Sequence, residues 1–144
     1  MTEAERQALL DALRAEYAAV YAYGVIAAYA SAERTRLVAE DTAAHRARRD
    51  STIDALKAAG VTVPPPDAAY TTPSPVNDPI PAANLAVTVE TDTAVAWRSV
   101  VENGNSDPLR RMGVDALTEC ALRLATWQSI LGANPPTIAF PGKA

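Results

Sequence analysis

Residues 61–81 read VTVPPPDAAYTTPSPVNDPIP, with Pro64, Pro65, Pro66, Pro73, Pro75, Pro79 and Pro81 in 21 positions. Proline lacks the backbone N–H and clashes with the preceding turn, so no helix crosses this segment. Val61-Thr62-Val63 is a β-branched run, and prolines follow it at once. The segment therefore divides two long stretches that carry helix signals throughout.

On its N-terminal side, Thr2 and Glu5 form a Thr-x-x-Glu capping box that opens a helix over about residues 3–29. Ser31 is a candidate cap for a second helix over about 32–59, and Gly60 is placed to end it. On the C-terminal side, Asp78-Pro79 reads as an N-cap followed by proline at the first helical position, opening a helix over about 80–103 that Gly104 ends. Asp107-Pro108 repeats that signature for a fourth helix over about 108–131, which stops at Gly132. Residues 132–144 read as a tail. The expectation is an all-α chain, one domain over 1–144, made of two helix pairs with tight turns near 31 and 105. Each helix is about 37 Å long at 1.5 Å per residue. The connection over 60–79 reaches up to about 60 Å at polyproline rise, enough to run the length of a bundle.

Apolar residues at helical spacing mark the inner faces: Leu9, Leu13, Val20, Gly24 and Ala27; Val38, Thr42, Thr52 and Leu56; Val87, Ala94, Trp97 and Val101; Leu117, Cys120, Leu124, Trp127 and Leu131. Trp97 and Trp127 read as core. Tyr17, Tyr21 and Tyr23 spread over more than one side of the first helix, which therefore needs more cover than one bundle face supplies. A homodimer through Tyr17 and Tyr21 is the expected source of that cover.

Composition narrows the function. The formal charge is −4 and the densest basic cluster, Arg46, Arg48 and Arg49, is followed by Asp50 and Asp54, which argues against nucleic-acid binding. The uncharged stretch Tyr17–Ala32 is shorter than the ~20 apolar residues of a membrane span. The acidic start, Met1-Thr2-Glu3-Ala4-Glu5, does not resemble a secretory signal. Cys120 is the single cysteine, so no intrachain disulfide forms, in keeping with a cytoplasmic protein. Cys120 falls on an apolar stripe and His45 has no nucleophile beside it, which speaks against Ser or Cys catalysis. No glycine-rich phosphate loop is present.

Four titratable residues interrupt the apolar faces: Glu16, His45, Glu90 and Glu119. Glu16 lies 15 residues before position 31 and His45 14 after it; Glu90 lies 15 before position 105 and Glu119 14 after it. All four therefore stand about 21–22 Å from their turns, at one level of the bundle. Carboxylates gathered in a low-dielectric core repel each other and lose hydration, so a metal, arginines or protons must neutralise them. Glu and His suit iron, manganese or zinc. Arg49, four residues after His45, and Arg123, four after Glu119, are the candidates for an internal salt-bridge network instead.

The stretches Glu16-Tyr17-Ala18-Ala19-Val20-Tyr21 and His45-Arg46-Ala47-Arg48-Arg49-Asp50 resemble the ferritin-like proteins, and more closely the ferritin-like domains of unknown function common in high-GC bacteria, over about residues 3–132. The resemblance implies a ferritin-like four-helix bundle with a long crossover between helices 2 and 3. It also implies a metal-ligand pattern of Glu, Glu-x-x-His, Glu and Glu-x-x-His on successive helices. Glu16, His45, Glu90 and Glu119 match that pattern. Thr42 and Leu122 stand where a glutamate and a histidine belong, and Asp41 is a partial substitute for the glutamate. The implied function is that of an uncharacterised ferritin-like protein with a degenerate di-metal site, in a non-catalytic structural or interaction role. The alternative is a mononuclear iron, manganese or zinc protein or oxidoreductase using the remaining ligands. A small-ligand or lipid binder using the first helix predicts an open pocket near Tyr17 and Tyr21.

Overall fold

The computed structural model describes residues 1–144 and contains four long helices and no strand: α1 (Glu3–Tyr29), α2 (Thr35–Ala58), α3 (Pro79–Asn103) and α4 (Asp107–Ile130). A single turn of 3-10 helix, Ala32–Arg34, precedes α2. No helix is long and apolar enough to cross a membrane.

The helix ends follow local chemistry. Thr2 and Glu5 make the reciprocal capping box, each side chain bonding the other's backbone N–H. Pro79 opens α3, although the Asp78 side chain makes no capping bond. The cap of α4 is Ser106, whose Oγ accepts from the Leu109 N–H, so Asp107 is already helical. Ser31 makes no capping bond either, because a tight 3-10 turn intervenes before α2. Gly60 follows α2 at φ +74, the left-handed conformation that leaves glycine unstrained.

α1 packs against both α2 and α3, and α3 packs against α4. Two apolar clusters fill the interior. One joins Leu9 and Leu13 of α1, Leu56 of α2, Trp97 and Val100 of α3, and Ala116 and Cys120 of α4. The other joins Tyr23 and Ile26, Val38, Ala82 and Ala86, and Trp127. The order of these residues along each helix shows that α1 and α4 run one way and α2 and α3 the other. The inner face of α1 is set by Leu9, Leu13, Glu16, Ala19, Tyr23 and Ile26. Val20 is half-buried and Gly24 and Ala27 are exposed, contrary to the expected stripe. At 3.6 residues per turn, the face that holds Glu16 continues through positions 19, 23 and 26.

Residues 59–78 form the connection from α2 to α3 and lie against the bundle. Val61, Val63 and Tyr70 pack on the first cluster and Val76 on the second. The buried Tyr17 donates its hydroxyl to the Pro64 carbonyl at 2.9 Å, and the Tyr21 ring meets Tyr70 at 5.5 Å between centroids. The chain's own connection thus covers α1 at Tyr17 and partly at Tyr21, which stays 40% exposed.

α3 and α4 approach closely at Gly113, where a Cβ would stand 2.8 Å from Val101 Cγ2 and 3.1 Å from the Val101 backbone nitrogen. A Gly113→Val variant forces the two helices apart. The expected loss is about 1–3 kcal/mol of unfolding free energy, read from the urea midpoint at unchanged slope.

Candidate functional site

Between the two apolar clusters lies a band of polar side chains, one or more from each helix. Glu16, His45 and Glu90 are completely buried and Asp41 nearly so. His45 bridges the two glutamates: its Nδ1 is 2.7 Å from Glu16 Oε2 and its Nε2 is 2.7 Å from Glu90 Oε1. A carboxylate only accepts hydrogen bonds, so each ring nitrogen must carry a proton and His45 is an imidazolium. Burial pulls the ring toward neutrality, but the bonds to Glu16 and Glu90 outweigh it and raise its pKa to about 9.

The remaining acceptor positions are filled by donors from the same level. The Trp97 Nε1–H donates to Glu16 Oε1 at 2.7 Å. The Tyr23 hydroxyl donates to Glu90 Oε1 at 2.7 Å, and the Arg123 Nε–H lies 3.1 Å from both Glu90 oxygens. Burial opposes ionisation of Glu90, but His45, Arg123 and Tyr23 more than offset it and hold its pKa below the usual range. Arg123 is pushed the other way: burial lowers its pKa, and Glu90 raises it by more. Asp41 accepts from the Trp127 Nε1–H at 2.9 Å. Its Oδ2 also lies 3.3 Å from the Tyr23 hydroxyl, whose one proton goes to Glu90. Burial raises the Asp41 pKa. No buried side-chain nitrogen or oxygen in the chain lacks a partner. At the centre Glu16 and Glu90 face His45 and Arg123, and Asp41 stands beside them as a third buried acid.

The structure thus brings Glu16, His45, Glu90, Asp41 and Arg123 together and leaves two expected members outside. Glu119 is half-exposed and pairs with Arg48 at 2.8 Å. Arg49 pairs with its neighbour Asp50 at the surface. Counting residues from a turn gives height along a helix but not direction around it. Glu119 has the right height and points outward, about 100° from Cys120. The inward positions of α4 are Cys120 and Arg123, and Leu122 is exposed. Where Glu-x-x-His was sought, Cys120-x-x-Arg123 faces the core. Thr42 bonds back to the Val38 carbonyl, and Asp41 takes the inward place on α2.

Three contributors were read only as core or cover: Tyr23, Trp97 and Trp127. Each lies seven residues along the same helix face from an inward residue: Tyr23 from Glu16, Trp97 from Glu90, Trp127 from Cys120. A buried indole N–H or phenol O–H needs a partner, and that requirement is the signal that links them to the carboxylates.

No group of three His, Cys, Asp or Glu side chains is arranged to hold a metal ion. The reason is geometric, since Glu16 and Glu90 sit at opposite nitrogens of one flat ring. Cys120 gives its Sγ–H to Thr93 Oγ1 at 3.2 Å, and burial raises its pKa to about 12, far from a reactive thiolate.

Fold and site together define an all-helical protein with four helices and a band of paired acidic and basic side chains in its interior. The chain belongs to the family of domains of unknown function DUF4439, whose model matches residues 8–144. It is similar to the crystal structure of a conserved hypothetical protein, rv2844, from Mycobacterium tuberculosis. Identity is 40%, the TM-score is 0.88, and the match covers 90% of this chain and 98% of that one. No curated protein matches the sequence.

Two outcomes test the band. The folded His45 pKa lies above its ordinary value near 6.5, so its stabilisation is complete below about pH 6.5 and is lost as pH rises through about 9. The loss amounts to roughly 3 kcal/mol, measured by urea unfolding across that range, and His45→Gln removes the pH dependence. Glu90, with a lowered pKa, acts oppositely: its contribution is present above about 4.5 and is lost on acidification. Separately, Arg123→Met leaves a buried carboxylate short of a counter-charge and costs about 3–5 kcal/mol. Glu119→Ala breaks an exposed pair and costs roughly 0–1 kcal/mol. Chemical denaturation of both variants distinguishes the two positions.

Proposed function

We propose that the chain is a single ferritin-like domain whose di-metal site has been replaced by an internal salt-bridge network, and that it serves in a non-catalytic structural or interaction role. The directions of the helices support the ferritin-like part. α2 ends at the cluster of Leu56 and α3 begins at the cluster of Ala82, so the proline-rich connection serves as the crossover between two helix pairs.

The donor set supports the second part. The ferritin-like pattern calls for six ligands, of which Glu16, His45 and Glu90 face the interior. The inward positions of α4 hold a thiol and a guanidinium. Arg123 brings a permanent positive charge 3.1 Å from Glu90, where a cation would otherwise bind. Both nitrogens of His45 are protonated and committed, whereas a metal ligand needs a free lone pair. The residues present therefore do not fit a di-metal centre. The single observation that carries this reading is the imidazolium of His45 held between Glu16 and Glu90.

A mononuclear site for iron, manganese or zinc is the second reading, favoured by the convergence of Glu16 and Glu90 on the one histidine. It requires His45 to lose a proton and turn one nitrogen toward the ion. Elemental analysis of tag-free protein after iron, manganese and zinc supplementation separates the two readings. The expected result is far less than one equivalent of each, the same content in His45→Ala, and no rise in melting temperature on adding the ions. About one equivalent, lost in His45→Ala, would overturn the proposal in favour of the second reading.

A further inference from the structure

A second feature stands apart from the polar band. Between α1 and α3, under the connection, lies a cavity of about 310 Å³. Its α1 wall consists of Ala15, Ala18, Ala19 and Ala22, at positions i, i+3, i+4 and i+7 of one helix face. Side chains this small cannot fill the space opposite Leu85, Val89 and Asp92 of α3, and the gap between the helices stays open. Tyr70 to Pro73 roof it, and the Tyr21 ring closes one side.

The roof is anchored by contacts already present in the chain. Tyr17 holds Pro64 through its hydroxyl, the Tyr70 ring meets the Tyr21 ring at a tilt of 56°, and the Tyr70 hydroxyl accepts from the Asp67 N–H at 3.0 Å. On the far side of the Tyr21–Tyr70 pair, a second concavity of about 630 Å³ continues along residues 70–76 toward Tyr29. The expected pocket on the first helix therefore exists beside Tyr21, while Tyr17 is sealed beneath the connection.

The lining chemistry selects a ligand class. Small-molecule sites are concave, mostly apolar and carry a few polar groups that set orientation. Here the single carboxylate is Asp92, which takes part in none of the chain's ion pairs. The Thr88 and Thr93 hydroxyls already donate to backbone carbonyls of their own helix. One anionic group, two tyrosine rings and an alanine floor suit a cation carried on an apolar body, with the rings adding cation–π attraction. We propose that the cavity between α1, α3 and the connection binds small organic ammonium cations, with Asp92 as counter-ion and Tyr21 and Tyr70 as the aromatic wall. This site is independent of the metal question and stands whether or not an ion binds at His45.

Three probes with the same phenyl body and different charge test it: phenethylammonium, phenethyl alcohol and phenylacetate. Each is titrated into the full isotopically labelled chain, and amide shifts are followed. The expected result is saturable binding of the ammonium, with shifts centred on Tyr21, Tyr70 and Val89. Affinity for the alcohol and the acid should be at least about tenfold weaker. Asp92→Asn should bring the ammonium down to the level of the alcohol. Ala18→Leu, which fills the floor, should weaken all three probes. Asp92 lies at the exposed rim, so its variant carries the test even if Ala18→Leu does not fold. Equal binding of all three probes, an unchanged preference in Asp92→Asn, or no saturable shift at these residues would overturn the proposal.

Discussion

A histidine held between two ionised glutamates is favoured as an imidazolium, because an ionised carboxylate has no proton to give. His45 bonds Glu16 on α1 and Glu90 on α3 from its place on α2, and so ties three helices at one level. The arrangement leaves one negative charge over, which Arg123 of α4 cancels at Glu90. Four charged groups, one from each helix, thus meet in the interior, with Asp41 of α2 beside them. Removing any one leaves a buried charge short of a counter-charge, and the penalty for that exceeds the worth of an ordinary hydrogen bond.

The rest of the interior is arranged around that constraint. Apolar clusters lie above and below the band, and the two tryptophans that border it aim their indole N–H groups at Glu16 and Asp41. Packing and polar satisfaction are therefore provided by the same residues: Trp97 and Trp127 fill volume and donate hydrogen bonds. An apolar core of similar volume is often as stable as a buried ion network, so stability alone does not explain the band. Polar partners at one height do impose register, because sliding a helix by one turn would separate Glu16, His45 and Glu90 by about 5 Å.

The proline-rich connection has a comparable economy. It supplies the Pro64 carbonyl to Tyr17 and the Tyr70 ring to Tyr21 of α1. In doing so it encloses the alanine-floored cavity, so the segment that excludes helix also makes a concave apolar surface near an unpaired carboxylate.

Much of this was legible in the linear sequence. Proline at 64–66, 73, 75, 79 and 81 rules out helix between two strongly helical stretches, and the Thr2–Glu5 box marks one helix start, because both act within a few residues. Height along the bundle was legible too, since 1.5 Å per residue is the same in every helix, and that brought Glu16, His45 and Glu90 to one level. Direction around each helix was not, because it depends on which neighbours pack and how closely. Gly113 and Ala116 of α4, set against α3, turn Cys120 and Arg123 inward and Glu119 and Leu122 outward. Partner choice was equally a tertiary matter: Arg49 and Arg123 are alike in sequence context, but only Arg123 reaches Glu90. What the sequence alone determined was the set of elements and the heights of the charged residues, both local properties of the chain. Which charges meet, and what covers α1, was decided by packing between residues far apart along it.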